Sequence, residues 1–240
     1  MATSYIVDVS VFQGQNGINV LNLKNNGIVG LTSKVGEGAD PNFIHYSFIN
    51  NCNNARNLGL TMYGTYYVVR TNTGYSVQSQ VNDYVTLMDQ NIPWWRTDPR
   101  FICQIDLEHW SYDTVPWDYG IDFGRKLQVA APIKINKIFL YASEGQYGNT
   151  TSEFPQWNAN YFDDAPGNYM DLYNLYGGNT SAIWHGSKYT FWQFTQRGYV
   201  GNFQGDVSAF RGTTQDLENL IGVTPPVIPY HWYDDSEANA

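Results

Sequence analysis

The sequence predicts an α/β barrel built on parallel strands, and three observations carry that prediction. Strand-like and helix-like segments alternate from the N-terminus to about residue 142, the signature of βα units wound around a parallel sheet. Beyond that point short strand patterns continue, separated by turn-rich linkers without helical periodicity, as in a barrel whose last third has lost its covering helices. The chain has 240 residues, enough for one barrel of this kind without a second domain.

Taken in order, residues 5–10 read as a short strand that brings Asp8 and Ser10 to one side and is broken by Gln13-Gly14. A brief helix over 20–25 ends at Asn26-Gly27, and a second strand over 28–35 closes at Gly36-Glu37-Gly38. The loose spacing of Phe43, Ile44, Phe48, Ala55 and Leu58 predicts a helix over 43–58, terminated by Gly59. Residues 60–69, rich in Tyr and β-branched side chains, give the third strand. Val77, Val81, Tyr84, Val85 and Met88 place a helix over 76–90. The fourth strand starts at Phe101; a helix over 117–131 and a fifth strand over 137–142 follow. Short strands are expected at 156–161, 181–185 and 189–194, and residues 223–240 read as a Pro-rich acidic tail, leaving 1–222 as the barrel.

The fourth strand carries the chemistry. In an extended chain side chains alternate, so Gln104, Asp106 and Glu108 share one face while Cys103, Ile105 and Leu107 take the other. Asp106 and Glu108 then lie roughly 6–7 Å apart. Such a pair repels unless one member keeps its proton, which gives a site one acid and one base at the same pH. A solvated strand end would also tolerate two acids, so the rest of the chain decides. Asp8 closes the first strand and Asp206 follows Gly205 just past the last; in a parallel barrel, residues at the C-terminal strand ends meet at one mouth. Four acids from three distant segments can therefore converge. The aromatic residues Tyr66, Trp110, Tyr141, Trp157, Tyr161 and Trp192 flank them.

Composition narrows the partner. With 22 acidic and 13 basic residues, a net charge of −9 and no basic cluster, nucleic acid is not expected. The 8 Trp and 19 Tyr suit a carbohydrate, whose C–H faces lie on aromatic planes. No apolar run reaches membrane-spanning length, so membrane insertion is not expected, and Met1-Ala2-Thr3-Ser4 lacks the features of a signal peptide. His45, His109, His185 and His231 show no zinc-like spacing, and no loop resembles a calcium site, so no metal or other cofactor is expected. Cys52 and Cys103 read as buried free thiols, and His109, on the face opposite Glu108, as structural.

In order along the chain, Asp8-Val9-Ser10 with Gln13-Gly14, Glu37-Gly38 with Asp40-Pro41-Asn42-Phe43, Asn53 to Leu60, and Tyr63-Gly64-Thr65-Tyr66 form a recognisable series. It continues through Asp106-Leu107-Glu108, Leu140-Tyr141, Trp192-Gln193-Phe194 and Gly205-Asp206-Val207-Ser208-Ala209-Phe210. On these motifs the chain resembles the glycoside hydrolase family 25 muramidases, the Chalaropsis-type lysozymes, over residues 5–212. Thr65-Tyr66-Tyr67 stands where many relatives have a Tyr-His pair, and Lys34 where they often have Arg or Ser.

The resemblance implies an irregular TIM-like barrel of eight strands with about five helices, (β/α)5(β)3. It implies hydrolysis of the β-1,4 bond between N-acetylmuramic acid and N-acetylglucosamine in bacterial peptidoglycan, without a cofactor and with a monomer as the expected state. Glu108 would be the general acid and base, and Asp106 would orient the substrate's own acetamido group as internal nucleophile. Asp8 and Asp206 would be supporting acids; Glu37, Tyr66, Trp110, Tyr141, Trp157, Tyr161, Trp192 and Gln193 are the expected substrate contacts. A start at Met without a signal fits a phage lysin released at host lysis or carried on the virion. The rival readings are a non-catalytic glycan-binding module on the same barrel, and a hydrolase of another amino-sugar polymer such as chitin.

Overall fold

The computed structural model describes residues 2–110, 113–147, 152–163, 165–178, 180, 184 and 189–223, with backbone only for Trp110, Gln146 and Tyr147. The first half alternates as expected: β1 (Ser4–Val9), α1 (Val20–Asn25), β2 (Ile28–Glu37), α2 (Ser47–Asn57), β3 (Met62–Val68), α3 (Val77–Asn91) and β4 (Phe101–Leu107). A small ribbon, β5 (His109–Trp110) with β6 (Asp113–Thr114), leads into α4 (Trp117–Ala130), β7 (Ile138–Ser143) and the single turn α5 (Glu144–Tyr147). Then come β8 (Gln156–Ala159), β9 (Gly167–Asn168), α6 (Tyr169–Leu175), β10 (Phe191–Val200), β11 (Phe203–Phe210) and α7 (Thr214–Ile221).

Eight strands close a barrel in the order β1, β2, β3, β4, β7, β8, β10, β11. Neighbours from β1 round to β10 are parallel; β11 runs antiparallel to both β10 and β1 and completes the ring. This is the irregular TIM-like barrel of the expectation. The strand period of two sorts its side chains into two layers inside. Ile6, Met62, Ile102, Phe139, Trp157 and Phe191 fill the lower interior, and Leu217, Ile221 and Val223 join the same cluster, so α7 closes the barrel floor. Two residues further along the same strands come Asp8, Gln104, Tyr141 and Gln193, with Asp106 two beyond Gln104, so the upper interior is polar. Gly64 makes the crowded wall possible, since a Cβ there would strike the Ile102 backbone carbonyl of the neighbouring strand.

Outward-facing residues such as Val7, Leu31, Tyr63, Cys103, Ile105 and Leu140 pack under the helices with Phe48, Val81, Tyr84 and Phe123. Cys52 and Cys103 are buried free thiols in this layer. Burial pushes both thiols up, Cys103 to about 12.

Besides the β5–β6 ribbon, the single turn α5 and the two-residue β9, none of which was expected, the structure differs from the expectation in four places. The helix expected from Phe43 begins at Ser47: Pro41–Phe43 is instead a 3-10 turn, its amide of Asn42 capped by the Asp40 carboxylate. Two helices, α6 and α7, stand where none was expected. Both are too short for periodicity to show, and each is set by its cap: Asn168 at α6, and a Thr213/Asp216 capping box at α7. A whole strand, β11, was read only as a motif following the last strand. The strand expected at 181–185 lies outside the described residues except for Trp184, which is a buried turn residue. The tail beyond residue 223 also lies outside them.

Candidate active site

Six strands deliver polar side chains to the mouth formed by their C-terminal ends. Asp8 is the penultimate residue of β1, Asp106 that of β4, and Glu108 lies just past β4. Asp206 reaches the same end for a different reason than expected: β11 is antiparallel, so its early residues lie at the mouth, and Asp206 pairs directly with Asp8. Register also sets Val68 of β3 and Tyr141 of β7 beside Asp106.

Together with Lys34, Tyr66, Tyr141, Tyr161, Gln193 and Gln104, the four acids line a cavity of about 170 Å³. A second cavity of about 430 Å³ adjoins it and shares Glu108, Tyr141, Tyr161 and Gln196, adding His109, Ser143 and Asn160. Glu108 therefore stands at the junction, whereas Asp106 is buried in the wall of the smaller cavity. Among the described residues, Asp106 Oδ1 has no hydrogen-bond partner. A buried polar atom of this kind is rare and calls for an explanation.

Burial and mutual repulsion keep protons on the cluster. Burial pushes Asp8 up to about 7; the Gln193 amide works against this by donating to it, while the charge of Glu108 adds to it. Burial, then the charge of Glu108, holds Asp106 well above the carboxylate range, and burial, then Asp8, does the same to Asp206. Glu108 is also raised by burial, against the opposing charges of Lys34 and Arg70. The acids titrate as a group, so the protons belong to the cluster.

Gln193, an expected substrate contact, lines the acid cavity and is held there by three hydrogen bonds. Nε2 donates to Asp8 Oδ2 at 2.7 Å, and Oε1 accepts from Tyr141 Oη at 2.7 Å and from the Tyr161 hydroxyl. Two of the expected aromatic contacts are not at the mouth. Trp157 points into the lower interior, stacked on Phe191 at 4.3 Å with its indole donating to Ser208 Oγ. Trp192 has the opposite strand parity from Gln193 and faces outward, its indole donating to the Asn160 carbonyl. Both are wholly buried. The side chain of Trp110 lies outside the described residues. Tyr66, Tyr141 and Tyr161 do face the cavity. His109 Nε2 is within 3.1 Å of the Val115 carbonyl and lines the larger cavity.

Lys34, noted in the sequence only as a departure, lines the acid cavity. It follows Thr32 at interior parity on β2, which was the available signal. Its Nζ donates to Glu37 Oε2 at 2.7 Å, and Glu37 Oε1 accepts from Arg70 Nε at 2.5 Å. Arg70 Nη1 is 4.0 Å from Asp113 Oδ2. Glu37 thus anchors the buried Arg70 and the partly buried Lys34 beside the acids.

No protein-family model and no curated protein matches the sequence. Solved structures do match its fold. A family 25 glycosyl hydrolase from Bacillus anthracis is 19% identical, with a TM-score of 0.65 over 90% of this chain and 92% of that one. The catalytic domain of the endolysin from bacteriophage P40 of Listeria monocytogenes is 14% identical, with a TM-score of 0.64 over 92% of this chain and 98% of that one. A modular autolysin of Streptococcus pneumoniae, solved with a synthetic peptidoglycan ligand, is 15% identical with a TM-score of 0.57; the match takes in 87% of this chain and 46% of that one. The chain is thus similar in architecture to a barrel found in glycosyl hydrolases, endolysins and autolysins.

Proposed function

We propose that the protein is a peptidoglycan muramidase that cleaves the β-1,4 bond between N-acetylmuramic acid and N-acetylglucosamine with retention of configuration. The observation that carries this reading is the pairing of Glu108, at the junction of the two cavities, with Asp106, whose buried Oδ1 is without a partner among the described residues. An acetamido N–H would supply that partner. In the first step the Glu108 carboxyl gives its proton to the glycosidic oxygen while the acetamido carbonyl oxygen attacks C1 and the C1–O bond breaks. Asp106 accepts the acetamido N–H and stabilises the positive charge that develops on the resulting ring. In the second step Glu108, now a carboxylate, takes a proton from the water that attacks C1, and the acetamido group is restored. Lys34 tempers the negative charge of both acids. Asp8 and Asp206 favour the protonated form of the group by repulsion.

The likeness to endolysin and autolysin folds supports the bacterial cell wall as the target. Among the described residues no helix is long and apolar enough to cross a membrane. We take the active species to be a monomer that meets the wall at phage lysis or from the virion.

Purified peptidoglycan provides the test. Mass analysis of the fragments should show new reducing ends at N-acetylmuramic acid, and Glu108→Gln should lower the rate about 10²–10⁴-fold. Reducing ends at N-acetylglucosamine, or a variant that keeps the wild-type rate, would sink the reading. Binding without cleavage would identify a glycan-binding module instead.

A further inference from the structure

A third depression, of about 540 Å³, lies across the Glu37 bridge from the acid cluster. Glu37 lines it and is bonded to Lys34, which lines the catalytic cavity, so the two spaces share one wall. Glu37 ends β2 and Arg70 follows β3 closely, which places the depression on the same mouth of the barrel. We infer that this depression, walled by Glu37, Asp40, Phe43, Arg70, Asn72 and Tyr75, is a distal subsite for a neutral N-acetylhexosamine ring of the same glycan strand. This inference rests on the muramidase reading and deepens it.

Two features of the lining point to a sugar. Phe43 and Tyr75 are 46% and 47% exposed and line the depression together. Their rings offer flat faces for pyranose C–H groups, with Asn42 and Thr73 beside them for hydroxyls. The charges argue against an acidic stem peptide. The lining carries the acidic side chains of Asp40 and Glu37, and the Arg70 guanidinium is already engaged by Glu37 and lies beside Asp113.

The loops that carry the rings are held in place. Ala39 takes φ 59°, the only left-handed non-glycine residue among those described, and its amide donates to Tyr67 Oη at 2.6 Å. Such conformations persist where the surroundings enforce them, and they gather at functional sites. The turn sends Asp40–Phe43 back along the depression, fixed by the Phe43 amide to the Asp40 carbonyl at 3.0 Å. Across from it, the Tyr75 carbonyl accepts from Gln80 Nε2 at 3.3 Å and from Tyr119 Oη at 3.4 Å.

The test uses peptide-free N-acetylglucosamine–N-acetylmuramic acid oligosaccharides from tetra- to octasaccharide. For the wild-type protein kcat/KM should climb with length, and Phe43→Ala or Tyr75→Ala should remove about three- to tenfold of that gain, mainly through KM. A length dependence that survives both substitutions, or an equal loss at every length, overturns the inference. So does a loss seen only with peptide-bearing fragments, which would make the occupant the stem peptide. Titration of the Glu108→Gln protein with the octasaccharide separates the two readings. If the wild type cleaves nothing, yet adding Phe43→Ala weakens that binding by the same factor, the subsite stands and the muramidase reading falls. If octasaccharide binding is unchanged, the subsite falls whatever the chemistry.

Discussion

At Gln193 one side chain fixes three others. Its carbonyl oxygen holds the hydroxyls of Tyr141 and Tyr161, which forces the amide nitrogen toward Asp8. Gln193→Leu strips partners from all three groups in a buried setting and should cost about 3 kcal/mol in chemical denaturation. Gln193→Glu gives a sharper check. The new carboxyl still accepts from both tyrosines, and while protonated it can also donate to Asp8. At about pH 5 its urea midpoint should be close to wild type. At about pH 8 it should fall well below, because two adjacent carboxylates are then charged. Equal losses at the two pH values would show that Gln193 acts by shape alone. Its parity on the strand was legible in the sequence, since Trp192 and Gln193 must face opposite ways. What the sequence left open was which of the two faced inward, because the start of β10 fell among linkers with no periodic anchor.

At the scale of elements, the least legible piece is among those that the barrel most depends on. Leu217 and Ile221 of α7 are fully buried against the lower interior, four residues apart on one helical face. Leu217→Ala should destabilise the protein by about 2–5 kcal/mol, and Thr213→Ala, which removes the capping box, by about 1 kcal/mol. Both should leave kcat on peptidoglycan near wild type at temperatures where the protein is folded. A Leu217→Ala protein as stable as wild type would mean that α7 does not plug the barrel. Most elements of the first half were readable because apolar strands alternate there with amphipathic helices of ten or more residues, and the six-residue α1 was marked by the Asn26-Gly27 stop that follows it. α6 and α7 have only 7 and 8 residues, below the length at which a periodic stripe can be told from chance. The cap signals Thr213, Asp216 and Gly222 were present, with Gly222 at φ 72° ending α7. The same limit hid β11: without a partner in view, its antiparallel sense could not be read, though Asp206 was singled out. Asp8, Asp106 and Glu108 were legible because they sit at or just past strand ends, where alternation gives the facing, whereas Asp206 lies in mid-strand on β11 and was singled out from its motif.

For the whole molecule, gathering four acids at one end of a barrel makes stability depend on pH in a definite direction. A carboxyl raised by folding binds its proton more tightly in the folded chain. Its contribution is complete below the unfolded pKa and disappears as pH rises through the folded value. For Asp8 that window runs from 3.8 to about 7, worth about 4 kcal/mol at most. Asp106, Asp206 and Glu108 are raised as well and act with the same sign. His45 opposes them: burial, then Lys34, lowers it from 6.5 to about 4, so it adds stability as pH rises across that interval. One imidazole against four carboxyls leaves the net slope negative. The melting temperature measured by calorimetry should therefore drop between about pH 5 and about pH 8. Asp206→Asn removes one buried charge and its repulsion of Asp8, so it should raise the melting temperature at the higher pH more than at the lower one. A wild-type melting temperature that is flat or rising across this window would mean that the folded cluster takes up no protons, and the general-acid role assigned to Glu108 would lose its electrostatic basis.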